Sequence, residues 1–192
     1  MTRHHRLTIS FAGLALAGGL VLATTGCSTG GAPEQAPAAV SAVSVGSVTT
    51  DGTRILASTT LGDDVFVLGQ NESEIRSAAS FDGSSTDLNW QTFGEPASVD
   101  STAITVVNPM NFPDAAPDGI ATVTGQVGSD VTGIDVLTGD GPTVTATVQD
   151  GYWIAAWEGG DFAGGDTPDP DFTAHLSDGT TTTVTFADAT NG

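Results

Sequence analysis

Six Asp-Gly pairs punctuate this chain, among them Asp51-Gly52, Asp140-Gly141, Asp150-Gly151 and Asp178-Gly179. Glycine, and aspartate beside it, tolerate the positive φ angles of two-residue hairpin turns, so the chain is cut into pieces suited to short strands. The stretch from 125 to 159, GQVGSDVTGIDVLTGDGPTVTATVQDGYWIAAWEG, organises the rest. In it Ile134 and Val136 alternate with Asp135 and Leu137 ahead of the turn Gly139-Asp140-Gly141. After Pro142, the side chains of Val144, Ala146 and Val148 share one face and those of Thr143, Thr145 and Thr147 the other, the period-two pattern of a half-buried strand. Beyond Asp150-Gly151, the run Tyr152-Trp153-Ile154-Ala155-Ala156-Trp157 is apolar on both faces, which predicts a central strand covered from two sides.

Short apolar segments recur before and after this stretch, at 54–58, 65–68, 74–79, 88–93, 103–107 and 120–127, with a closing hairpin of 172–177 and 181–187. Residues 75–80 read equally well as one helical turn. Residues 108–119, NPMNFPDAAPDG, hold three prolines and are expected to break the central strand pattern, connecting two halves of the domain. No fixed period runs through the chain as a solenoid would require. The expected class is all-β, an antiparallel β-sandwich-like domain over 46–192.

Ahead of that domain, Arg3 and Arg6 precede an uncharged apolar run over 7–23, followed by Thr24-Thr25-Gly26-Cys27. This pattern marks an export signal, and its last four residues resemble a bacterial lipobox, so residues 1–26 read as a lipoprotein signal peptide with Cys27 the lipidated residue. Ordinary secretion is one alternative and an uncleaved anchor the other, because the run is about as long as a membrane span. Residues 27–45, rich in Ala, Pro, Ser and Gly, read as a flexible tether. Cys27 is the single cysteine, so no intramolecular disulfide can form and the stability must come from burial.

The formal net charge is −19, from 23 acidic residues against four basic ones. Two of those four, Arg3 and Arg6, leave with the leader, so Arg54 and Arg76 are the only cations of the mature chain besides His175. Such a charge repels nucleic acid and anionic headgroups, which leaves the N-terminal lipid as the expected link to the membrane, on its extracytoplasmic face.

The residue types also limit the chemistry. His175 is the one histidine after the leader, and within residues 27–192 no G-x-S-x-G elbow, P-loop or dinucleotide fingerprint occurs. His/Cys sites for zinc or copper are ruled out by composition. Calcium fits the oxygen-rich sequence better: Asp161, Asp166, Asp169 and Asp171 fall within eleven residues of a glycine-rich loop, although without the EF-hand spacing. The plainer reading of that loop is a solvated acidic connection. Tyr152, Trp153 and Trp157 would make a sugar-stacking platform if one face of their strand were open, whereas core packing is the ordinary use of such residues.

The run GxVGSDVTGIDV, then DGxxVTATVxDGYWIAAW, then FTAHLSDGTT, resembles a recurrent segment of uncharacterised exported or membrane-linked actinobacterial proteins, over about 125–183. The resemblance implies a β-rich module in a bacterial cell-surface setting and no activity. The chain departs from it after Trp157, where Glu158-Gly159 and the acidic loop stand in place of a short aromatic-proline turn. The function expected is a non-catalytic, lipid-anchored interaction module with a cell-surface protein partner. Its alternatives are a calcium- or carbohydrate-binding module and a small carboxylate-dependent hydrolase.

Overall fold

The computed structural model describes residues 43–81, 88–139, 141–159, 162 and 167–191. Residues 1–42 lie outside them, and with them the expected signal peptide, the expected lipidation site Cys27 and most of the expected tether. Residues 38–192 form one compact unit. Among the described residues twelve strands build three antiparallel sheets of four.

The first sheet is β1 (Arg54–Leu61), β2 (Asp64–Asn71), β3 (Glu74–Ser80) and β4 (Gln91–Gly94), in that order. The middle sheet runs β5 (Ile104–Phe112), β6 (Ile120–Val127), β10 (Tyr152–Glu158), β9 (Thr147–Gln149). The third runs β12 (Thr181–Thr185), β11 (Asp171–Leu176), β7 (Val131–Leu137), β8 (Thr143–Thr145), and a short helix α1 (Phe186–Thr190) follows it.

The predicted central strand is β10. Alternation sends Trp153, Ala155 and Trp157 into a core shared with the third sheet, and Ile154 and Ala156 into one shared with the first. Strand β6 beside it is buried at all eight positions. The second core joins Leu56, Phe66, Leu68 and Ile75 of the first sheet to Ile120, Ile154 and Ala156 of the middle one, so the two halves of the domain share a core.

Of the two readings of residues 75–80 the strand holds, paired with β2 on one side and β4 on the other. Three expectations need correction. The expected break at 108–119 begins only after Phe112, because β5 is an edge strand and the missing N–H of Pro109 disrupts no inner ladder. Val43, assigned to the tether by composition, packs against Val65, Val67 and Ala78 on the outer face of the first sheet, and its carbonyl accepts from Ser58 Oγ. The last predicted strand stops at Thr185, whose side chain accepts a hydrogen bond from the Asp188 amide and so caps α1.

The largest departure lies inside 143–149, predicted as one strand. It is two. Strand β8 pairs with β7 in the third sheet, and after Ala146 the chain crosses to the middle sheet, where β9 pairs with β10. Ala146 is the buried corner, its amide bonded to the Ile134 carbonyl at 2.9 Å. Small enough to sit at a corner between two sheets, it carries no sequence mark of that role.

Candidate functional site

The crossing at Ala146 has a structural consequence. Strand β9 covers only Tyr152, Trp153 and Ile154, so the outer edge of β10 from Ala155 to Glu158 has no strand partner among the described residues. The turn between β9 and β10 has positive φ at both central residues, 49° at Asp150 and 84° at Gly151, the type I′ geometry in which the flanking pair Gln149 and Tyr152 is hydrogen-bonded. With period two, the backbone groups of Ile154, Ala156 and Glu158 point the same way as those of Tyr152, and those of odd-numbered residues point towards β6. The bond from the Gly159 amide to the Gly119 carbonyl, 3.0 Å, agrees with that parity.

Beside this open edge lies a cleft of about 750 Å³. Its walls come from all three sheets. Thr59, Thr60 and Leu61 end β1, and Ala156, Trp157 and Glu158 end β10. Thr138, Pro142, Val144 and Thr145 belong to the β7–β8 connection and β8, while Asp118, Phe162, Thr167, Pro168 and Pro170 complete the lining. Phe162 stacks on Trp157 at 5.4 Å and 27°, closing the inner end with an aromatic pair. Thr138 Oγ1 donates to the Pro142 carbonyl at 2.8 Å and fixes the turn at the rim. Asp118 and Glu158 are both exposed, and no Lys, Arg or His lines the cleft among the described residues. The chemistry presented is apolar walls, threonine hydroxyls, two carboxylates and a strand edge with no strand partner among the described residues.

The predicted site residues fall elsewhere or only partly here. Asp161 and Asp166 lie outside the described residues. Asp169 is exposed on the loop, and Asp171 is exposed at the start of β11, opposite Leu137 and Thr185. Among the described residues no three His, Cys, Asp or Glu side chains are grouped to hold a metal. Trp153 is 0 % and Trp157 5 % exposed, so the stacking platform is corrected to core. Trp153 Nε1 donates to the Thr105 carbonyl at 3.1 Å and its ring meets Phe172 edge-on at 5.3 Å. Tyr152, on the opposite face, is half-buried; burial raises its phenol pKa above the ordinary value, with Arg54 pulling it the other way.

A second polar group sits on the outer face of the third sheet. His175 Nε2 meets Asp135 Oδ2 at 2.8 Å, and Thr145 Oγ1 donates to Asp135 Oδ1 at 2.9 Å. These bonds, His175 first, hold the Asp135 carboxyl below the usual carboxylate range. The order is wrong for a nucleophile, because the carboxylate stands between the hydroxyl and the imidazole, whereas activation requires the imidazole in the middle.

The sequence reading missed Thr59, Thr60, Asp118 and Glu158 as partners in one place. Asp118 looked like turn chemistry, and the one available signal was the departure at Glu158-Gly159 from the resembling segment. No family model, no curated protein and no solved structure matches the chain.

Proposed function

We propose that this chain is a lipid-anchored, extracytoplasmic β-module that holds a partner at the cell surface without transforming it. The observation that carries the reading is the cleft: a concave site of about 750 Å³ on strand ends of three sheets, within the size range of ligand pockets and set on rigid elements. In this reading the Cys27 lipid supplies the membrane link, residues 27–42 give the module reach, and nucleic acid is excluded as a ligand by 23 acidic residues set against Arg54 and Arg76. The actinobacterial resemblance of 125–183 belongs to the same proposal and supports its cell-surface setting.

Two experiments test it. Palmitate labelling of cells is expected to mark the wild type and not Cys27→Ser; an unlabelled wild type removes the anchor. Filling the cleft with Thr60→Trp, at an exposed strand position, is expected to abolish a cell-surface cross-link made by the wild type while the thermal midpoint holds. An unchanged cross-link would place the binding surface elsewhere.

The two carboxylates in one cleft also favour a second reading, a small hydrolase. That chemistry needs them about 5–9 Å apart on either side of a glycosidic bond. Turnover of an oligosaccharide that is lost in Glu158→Gln would select it.

A further inference from the structure

Resting on the cleft as the binding site, the geometry points to its occupant: an extended peptide segment of a partner protein that adds as a strand to the open edge of β10 and places a lysine or arginine between Asp118 and Glu158. The first support is the interrupted ladder. Strand β9 ends at Thr147 opposite Ile154, while β10 continues to Glu158, so a peptide laid along Ala156 and Glu158 continues the line that β9 abandons. Backbone pairing gives such complexes their affinity and side-chain pockets their specificity. The cleft offers the pockets, since period two sends alternate side chains of an added strand towards opposite walls.

The facing wall carries the second support. Beyond its pairing with β2, strand β1 is bonded on its other edge only near Arg54 and Ile55, by residues 46–48, so Thr59, Thr60 and Leu61 line the cleft from the edge of the first sheet. Strand β8 likewise ends its sheet, and brings Val144 and Thr145. The slot is thus bounded by strands on three sides, which suits an extended chain.

Charge decides what that chain carries. Asp118 and Glu158 face the slot without a cation beside them among the described lining residues. The mature chain cannot supply one from within: Arg76 bonds to Asp51 at 2.9 Å and lies over Trp90, and Arg54 begins β1, at the far end from Leu61. Residues 27–42 contain no Lys or Arg, so the tether does not complete the site either. The cation comes from another molecule, and the 23 acidic residues draw it in.

The test uses the mature chain and a panel of capped heptapeptides with alternating threonine or valine and a central lysine, read by calorimetry and by amide shifts of Ala156 and Glu158. Binding is expected, with a loss of at least about tenfold when the central lysine becomes glutamate, when alternate peptide nitrogens are methylated, and in the double variant Asp118→Asn/Glu158→Gln. Equal binding of methylated and unmethylated peptides overturns strand addition, leaving a charge contact alone. If no peptide binds but a neutral oligosaccharide shifts the same amides, the peptide is wrong and the cleft as a binding site stands. If the protein self-associates through these residues, with the exposed Arg54 of a second copy as the cation, the heterologous partner is wrong. Failure of every probe, with Thr60→Trp also silent on cells, brings down the cleft reading itself.

Discussion

The middle sheet faces two different interiors. Towards the third sheet it presents Ile104, Val106, Ala121, Val123, Trp153, Ala155 and Trp157, and the partners include Phe172 and Phe186. Towards the first sheet the same strands present Thr122, Thr124 and Asn108, all buried, beside a smaller set of aliphatics. There Asn108 Nδ2 donates to Ser77 Oγ at 2.8 Å, and Thr124 Oγ1 to the Asn108 carbonyl at 3.4 Å. The first interface is richer in aromatic area, and the second combines aliphatic contact and the Phe66–Phe112 ring pair with a polar network. Large side chains contribute roughly 1.5–3 kcal/mol each on full burial, whereas a satisfied buried hydrogen bond nets about 1 kcal/mol and fixes register. The aromatic interface therefore carries global stability, and the polar one specifies how the first sheet docks.

Breaking the aromatic side gives the largest expected effect. Trp153→Ala removes a fully buried indole, its edge contact with Phe172 and its bond to the Thr105 carbonyl, at a cost of about 3–5 kcal/mol in urea unfolding, with every amide losing protection together. Gly125 guards the same spot, because a Cβ there would lie 2.5 Å from Trp153 Nε1 and closer still to the Thr105 carbonyl. If Asn108→Ala costs as much as Trp153→Ala, the contrast between the interfaces is wrong.

That second substitution is expected to cost about 1–3 kcal/mol by removing the donor to Ser77 Oγ, which keeps only its weak contact to the Met110 sulfur, and hydrogen exchange should quicken in β1 to β3 before β7 and β11. Next in size is a gain. Thr122 Oγ1 is buried with no hydrogen-bond partner among the described residues, so Thr122→Val, of the same shape, should stabilise by about 1 kcal/mol, read as a higher urea midpoint at unchanged slope. A loss would mean that the hydroxyl is bonded after all.

The smallest effects belong to the outer faces. On the third sheet Asp135 is held low by His175 and then Thr145, and near the first sheet Asp51 is held low by Thr49 ahead of Thr53 and Arg76. A depressed carboxyl stabilises the fold above its unfolded pKa of about 3.9, and that stabilisation disappears as pH falls through the lower folded value. Both groups are partly exposed, so each contributes under about 1 kcal/mol. Asp135→Asn should flatten the dependence of the urea midpoint on pH below about 4 and leave pH 7 within a few tenths of a kcal/mol. An unchanged acid limb would show that the pair with His175 does not form in solution.

Much of the strand content was legible because it is written locally. The run at 120–127 is β6 to the residue, Tyr152 to Trp157 sits in a strand covered on both faces, and Asp150-Gly151 makes its turn. Alternation and turn chemistry act over two to four residues, so a sequence states them outright. The cap at Thr185 was equally local, with Asp188 three residues on, and went unread because the β-branched run before it masked the change of period.

The candidate site was not legible in that way. Nothing in Thr143 to Gln149 says that the strand changes sheets at Ala146, since both halves keep the same alternation and their partners lie in β7 and β10. Strand pairing is a contest among distant segments, decided by which faces bury most area once the whole chain is collapsed. The sequence by itself determined most of the strands, their turns and the acidity. Only the tertiary structure decided that three sheets stack, that Trp153 and Trp157 face inward, and that one crossing leaves the end of β10 open beside Asp118 and Glu158.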